Sequence, residues 1–268
     1  MIRLRIPAAL LICLAATVPC RAATSIVYTR TKAAGVYINL VTINLNDRNV
    51  RVTPAIARCG IGTCESFRSM MRRTRPAAAI NGTFFCTKTL SPTGDIVIDG
   101  NLLSKGSVGT AVAIDVDNKI TFLPAGRPDL YHWWDYQHVV AAGPALILRA
   151  KTIVMPRAQG FRSRVHFAKE RRAAVGLTST HKLVFVTCSR KIHLRTLARV
   201  MRSLRCTDAA TLDGGSSIGL YCKGKLITNP GRGMTNCLLV YDNPSEYEQR
   251  RECFFPTLHY TSAPPSGS

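Results

Sequence analysis

The sequence predicts an α+β fold with a mixed, largely antiparallel β-sheet core and a few packed helices. Three observations carry this reading. Short segments rich in β-branched residues far outnumber helical ones, many of them are joined by two-residue turn signals, and one segment has clear helical periodicity. The composition suits such a core. The chain has 268 residues, 46% of them hydrophobic and 19% charged, which excludes a disordered or fibrous protein. Glycine (19) and proline (14) occur at ordinary levels, which excludes a low-complexity chain. No apolar run reaches the roughly 18–20 residues of a membrane-spanning helix.

In chain order, Ser25 to Arg30, Val36 to Leu45 and Val50 to Pro54 read as strands, partly alternating and rich in β-branched residues. Glu65 to Arg73 reads as a helix with a basic outer face. Ala77 to Ile80 is a short apolar run that ends at the turn signal Asn81-Gly82. Ile96 to Leu103 reads as a hairpin turning at Asp99-Gly100, and Thr110 to Leu123 as another turning at Asp117-Asn118. Val139 to Ala142, Ala145 to Leu148, Arg172 to Leu177 and Leu183 to Thr187 are further strands. In the clear helix, Leu194, Leu197, Ala198, Met201 and Leu204 form an apolar stripe, with Arg195, Arg199, Arg202 and Arg205 on the other side. Ala209 to Leu212 is a strand that runs into Asp213-Gly214-Gly215-Ser216-Ser217. Ile218 to Ile227 forms a hairpin around Lys223-Gly224, and Cys237 to Tyr241 is the last strand.

The N-terminus reads as a secretory signal peptide over residues 1–22. Arg3 and Arg5 precede a short apolar core from Pro7 to Pro19, and small residues follow at Ala22-Ala23. Residues 23–242 then form one domain, and residues 243–268 a partly flexible C-terminal extension that ends in Ser, Pro and Gly. The formal net charge is +21, and removal of three signal-peptide arginines leaves about +18. Such a surplus favours acidic partners or, more simply, a solvated basic surface. Eight cysteines remain after the signal, which predicts a disulfide framework in a secreted or periplasmic protein; Cys59 and Cys64 flank a flexible stretch that could close a small loop. No Cys-x-x-Cys or closely spaced His pair points to a metal, and no cofactor motif appears.

The segment with most chemical potential is Thr211 to Ser217. A strand delivers Asp213, Gly214 and Gly215 let backbone N–H groups approach a ligand, and hydroxyls follow; a plain tight turn is the alternative. Asn81-Gly82-Thr83-Phe84-Phe85 offers an amide at a strand end followed by aromatics, suited to a sugar, or else a turn with a Phe pair in the core. Arg172 and Arg232 are arginines in apolar surroundings, fit for bidentate phosphate binding or for a structural carboxylate. No Gly-x-Ser-x-Gly occurs, and His132, His166, His181 and His193 are each locally unremarkable as a catalytic base.

In this order, these segments resemble the phosphodiester glycosidase family, whose animal member is the mannose-6-phosphate uncovering enzyme (N-acetylglucosamine-1-phosphodiester alpha-N-acetylglucosaminidase). The resemblance runs from about Ala77 to Tyr241. The family's Asn-Gly-x-Phe-Phe stands at Asn81 to Phe85, its Gly-Pro-Ala-Leu-Ile at Gly143 to Ile147, and its Arg-Thr-Ala-x-Gly near Arg172 to Gly176. Its Leu-Asp-Gly-Gly-x-Ser stands at Leu212 to Ser217, and its Arg-Pro-Val-x-Asn is matched only at Arg232 and Asn236. Ala173, Thr211 and Gly233 depart from the family pattern, the first two by loss of hydrogen-bonding groups.

The resemblance implies a secreted hydrolase that cleaves a sugar-1-phosphate diester at the anomeric centre, with a phosphorylated carbohydrate or glycopolymer as substrate; the sequence itself gives no sign of a required cofactor or metal. It implies that Arg172 and Arg232 clamp the phosphate, and that Asp213 acts on the sugar side. Asn81, Gly82, Phe85, Gly214, Gly215, Ser217 and Asn236 bind substrate. A second carboxylate is not evident; Asp99 is a candidate by position alone. The alternative on the same fold is a non-catalytic glycan- or phosphopolymer-binding protein. A nucleic-acid binder rests on charge alone and is disfavoured.

Overall fold

A computed structural model describes residues 24–106, 108–125 and 133–256. Residues 1–22, read as a signal peptide, and the Ser/Pro/Gly-rich end of the extension lie outside the described residues, as does His132. The strands form three sheets. The first, seven-stranded, runs edge to edge through Ile26–Ala33, Val36–Asn44, Lys182–Ile192, Glu170–Thr178, Cys206–Leu212, Ala145–Leu148 and Lys151–Thr152. The second runs through Lys225–Thr228, Leu220–Cys222, Ala78–Asn81, Asn236–Tyr241 and Arg51–Ile56. The third runs through Asn101–Ser104, Ile96–Ile98, His138–Ala142, Thr110–Ile114 and Ile120–Pro124. Each strand pairing among the described residues is antiparallel, so the mixed character expected of the sheet resolves as antiparallel.

The near-continuous apolar runs of the central strands follow from burial on both faces. Val175 and Phe185 of the first sheet meet Ile80, Leu238 and Val240 of the second and Val112 and Val140 of the third in the central core. Their neighbours Ala174, Val184 and Val186 point the other way, under the helix Leu194–Ser203. That helix buries Leu194, Leu197, Ala198 and Met201, the stripe its spacing predicts. On the far side, Leu239 and Tyr241 pack beneath the helix Phe67–Thr74 and the chain's C-terminal segment. The Phe67–Thr74 helix starts where the Ser66 hydroxyl accepts from Ser69 N–H at 3.1 Å, and it stops at Arg75, which turns left-handed at φ 45°.

Turn chemistry holds at Asp99-Gly100 (φ 50° and 75°) and Lys223-Gly224 (φ 46° and 82°). The turn at Asp117-Asn118 is wider than two residues, since the flanking strands end at Ile114 and resume at Ile120. Residues 243–256, read as charged extension, contain a helix, Pro244–Arg250, that docks onto the domain. Tyr247 and Phe254 are buried, and Tyr247 Oη lies 2.9 Å from His138 Nε2. No helix among the described residues is long and apolar enough to cross a membrane.

The structure shows no disulfide among the described residues. All eight from Cys59 to Cys253 are free. Across the ladders Cys188 faces Arg172, Cys206 faces Thr178, Cys222 faces Ala78, and Cys237 faces Ala55 and Asn81. These four are buried as small apolar side chains, and none opposes another cysteine.

Candidate active site

Strand register brings the site together. Ala173 pairs with Leu212, so Arg172 and Asp213 occupy the same end of neighbouring strands. Asn81 pairs with Cys237, which sets Gly82 beside Asn236. At this end opens a cavity of about 870 Å³, lined among others by Asp213, Gly214, Gly215, Arg172, Arg232 and Phe85. Six of the residues expected from the sequence therefore share one cavity.

The Asp213 loop is held from behind. Asn81 Nδ2 donates to the Asp213 carbonyl at 2.8 Å, Asp213 N–H donates to the Gly82 carbonyl at 3.1 Å, and the Gly219 N–H donates to Asn81 Oδ1 at 3.2 Å. Asn236 Oδ1 accepts from the Thr83 N–H at 2.7 Å. Asn81, Gly82, Ser217 and Asn236 do not line the cavity; the side chains of Asn81 and Asn236 form its backing. Gly82 is required by this packing, because a Cβ there would fall 1.9 Å from Asn236 Oδ1. Gly215 carries φ 62°, which opens the single helical turn Gly215–Ser217 toward the cavity.

Burial raises the Asp213 pKa above the ordinary carboxylate value. The Ser217 hydroxyl, the Gly214 N–H at 2.8 Å and the Arg232 charge oppose that rise. The Ser217 hydroxyl is buried and makes no hydrogen bond of normal geometry, so its influence on Asp213 is one of proximity. Arg232 stacks on Phe85, with its guanidinium carbon 4.6 Å from the ring centre. Arg172 is 4% exposed. Its Nε donates to the Ile192 carbonyl at 3.2 Å, and Nη2 donates to the carbonyls of Val165 and Ala168 at 2.8 and 2.6 Å. Nη2 thus anchors the loop before its strand and Nε the end of the neighbouring strand Lys182–Ile192, which leaves Nη1 for a ligand in place of a bidentate fork.

That anchored loop adds residues to the cavity that the sequence had not singled out. His166 sits between Phe84 and Phe161, with ring centres 5.0 and 4.7 Å away. Its buried Nδ1 has no partner, and burial together with the Arg172 charge pushes its pKa down to about 4, so the ring is neutral. Residues 153–169 have no periodicity, and nothing local marks His166. Glu170 also lines the cavity and pairs with Lys191 at 3.5 Å. Its signal was present, because residues i and i+2 of a strand share a face and Glu170 stands two before Arg172. Asp99 is elsewhere. It lies in a hairpin turn paired with Arg251 at 3.0 Å, where it helps clasp the C-terminal segment. Thr211, at a place where the family often has Asn, buries an unpartnered hydroxyl against Gly143. Among the described residues no group of three or more His, Cys, Asp or Glu is arranged to hold a metal.

A family model described as phosphodiester glycosidase matches residues 74–241, well over half of the chain. The chain belongs to the phosphodiester glycosidase family. Solved structures agree on the fold of this family member. The catalytic domain of zebrafish N-acetylglucosamine-1-phosphodiester alpha-N-acetylglucosaminidase, auto-inhibited by its pro-peptide, aligns with TM-score 0.65 and 19% identity. That alignment covers 81% of this chain and 82% of that one. A hypothetical protein from Synechocystis aligns with TM-score 0.70 and 16% identity over 81% of this chain; the match spans 62% of the Synechocystis chain, less than two thirds of its length. A candidate exported protein from Burkholderia pseudomallei aligns with TM-score 0.60 and 14% identity, covering 76% of this chain and 74% of that one. A search of curated proteins finds no match.

Proposed function

We propose that this phosphodiester glycosidase is a secreted or periplasmic hydrolase that cleaves a sugar-1-phosphate diester at the anomeric centre. The observation that carries the reading is the meeting of Asp213, Arg172 and Arg232 on one cavity. Its lining holds Lys105, Arg162, Arg172 and Arg232 against Asp213 and Glu170, a balance that favours an anionic ligand. The volume suits a sugar with its phosphate.

In the reaction the bond between the anomeric carbon and the phosphate-bearing oxygen breaks. The oxygen departs with a phosphate monoester, and water supplies hydroxyl to the carbon and one proton to solvent. The leaving group is already a stable anion, so it needs charge stabilisation more than protonation. Arg232 and Arg172 Nη1 supply that charge. Asp213 faces the anomeric centre and either stabilises its oxocarbenium character or activates water. Glu170 is the second carboxylate of the site; the Gly214 N–H is engaged by the Asp213 carboxylate, and Gly215 presents its backbone N–H to the sugar. Phe84, Phe85 and Phe161 offer ring faces for stacking. Asn81, Gly82, Ser217 and Asn236 act through the loop they hold. The domain of residues 23–242 carries the activity, and the leader of residues 1–22 directs export.

The test is release of free sugar from a synthetic α-N-acetylglucosaminyl phosphodiester by the purified protein, with Asp213→Asn as control. Activity in the parent and at least a hundredfold loss in the variant is the expected result. Binding without turnover across a panel of glycosyl phosphodiesters would favour the non-catalytic alternative.

A further inference from the structure

Arginines continue away from the cavity along one side of the molecule. Arg232 lines both the main cavity and a neighbouring hollow of about 330 Å³ beside Ser66, Asn229 and Pro230. Arg68 lines that hollow and a third one of about 480 Å³, which is walled by Arg72 and Arg75 over Met71, Tyr221 and Leu226. Shared side chains therefore join the three hollows into one path. Arg68, Arg72 and Arg75 recur at i, i+4 and i+7, on one face of the Phe67–Thr74 helix and its cap, and span about 10 Å along its axis. All three are exposed, and among the described residues no carboxylate pairs with them.

Three arginines among the described residues do find carboxylate partners. Arg73, on the same helix, meets Glu65 at 2.6 Å, and Arg250 and Arg251 meet Glu246 and Glu248. Glu65 is the one acid lining the two hollows beyond the main cavity, and that ion pair neutralises it. Like charges at i, i+4 destabilise a helix, so the row of arginines costs local stability. A small diester would be held by the main cavity and would leave the row unused.

We propose that the row is an extended subsite for a polyanionic substrate, so that the enzyme works on glycans whose repeating units are joined by phosphodiesters. One diester occupies the main cavity while its neighbours along the polymer lie against Arg232, Arg68, Arg72 and Arg75. The apolar floor at Tyr221 and Leu226 carries the intervening sugar. This rests on the reading of the cavity given above, and the experiment separates the two.

Binding of an intact phosphodiester-linked polysaccharide is measured with Asp213→Asn protein, so that turnover plays no part. The triple variant R68Q/R72Q/R75Q is compared with R195Q/R199Q/R202Q, which removes the same charge from the other amphipathic helix. The expected result is a loss of roughly tenfold or more in polymer affinity in the first and little change in the second, with a shallower salt dependence in the first. On the Asp213 background kept intact, kcat/KM for the polymer falls by at least tenfold more than kcat/KM for the small synthetic diester. Equal loss in the two triple variants overturns the proposal, as does polymer binding insensitive to both. A row that binds single-stranded DNA but not the polysaccharide also overturns it. Polymer binding that depends on the row, without hydrolysis of any diester, leaves the subsite standing and overturns the catalytic reading alone.

Discussion

The side-chain amide of Asn81 donates to the main-chain carbonyl of Asp213 at 2.8 Å, across 132 positions of sequence. One end of the second sheet thereby sets the backbone of the loop that carries the candidate catalytic carboxylate on the first. Asn81 is fully buried, and its Oδ1 also accepts from Gly219 N–H, so both ends of the amide are engaged. Asn81→Ala strands two buried backbone groups. We expect a loss of about 1–3 kcal/mol of stability in urea unfolding. Turnover should fall further than that loss explains, because the Asp213 loop is no longer held.

Asp213 makes a pH prediction of definite sign. Burial raises its folded pKa above the unfolded value, so the folded state holds the proton more tightly. The cost of an ionised Asp213 is therefore absent below about pH 3.9. It grows as pH rises and is complete above the folded pKa. Asp213→Asn keeps an acceptor for the Gly214 N–H and removes the charge. Its Tm should exceed that of the parent at pH 7, and the difference should close as pH falls below 4. A variant less stable than the parent at neutral pH would contradict this.

His166 acts in the opposite sense. Its folded pKa, near 4, lies below the ordinary 6.5 because burial and Arg172 disfavour the cation. The stabilising neutral form is fully present above pH 6.5, and its contribution is lost as pH falls from there to about 4. The loss amounts to at most about 3 kcal/mol. His166→Phe fills the same space between Phe84 and Phe161 and does not titrate. Thermal melts should show a smaller drop between pH 6.5 and 4 in the variant. Some drop remains, because burial also pushes His138 down to about 4.

The cysteines predict an order of chemical reactivity. Cys86 is exposed, and hydrogen bonds from Thr89 lower its pKa to about 7. Burial pushes Cys188, Cys206 and Cys237 up to about 12. Brief alkylation of the native protein at pH 7 should label Cys86 first and leave the other three unlabelled until unfolding. A thiol reductant should leave Tm unchanged. A drop in Tm on reduction would indicate bridges between these cysteines.

Much of the molecule was legible because it depends on near neighbours in the chain. The helix Leu194–Ser203 follows from the 3.6-residue spacing of its leucines. The hairpins at Asp99-Gly100 and Lys223-Gly224 follow from residues that accept left-handed backbone. The helix within the charged stretch after Asn243 was not legible, because the apolar anchors Tyr247 and Phe254 are widely spaced and their partners lie far away in sequence. The surroundings of the cysteines were not legible for a related reason. Their even count suits bridges, yet each buried one lies opposite a residue of another type.

By itself the sequence determined the α+β class, most of the strands, and the loop from Leu212 to Ser217 with its carboxylate and two glycines. Periodicity and backbone permissiveness are local properties, written in consecutive residues. The tertiary structure alone decided which polar groups face the cavity and which support it. Antiparallel register sets Asp213 beside Arg172 and turns Asn81 and Asn236 inward as backing, and the loop that Arg172 holds brings His166 into the lining. Those outcomes depend on which residue lies opposite in a distant strand and how much water the packing removes. No short stretch of chain records either quantity.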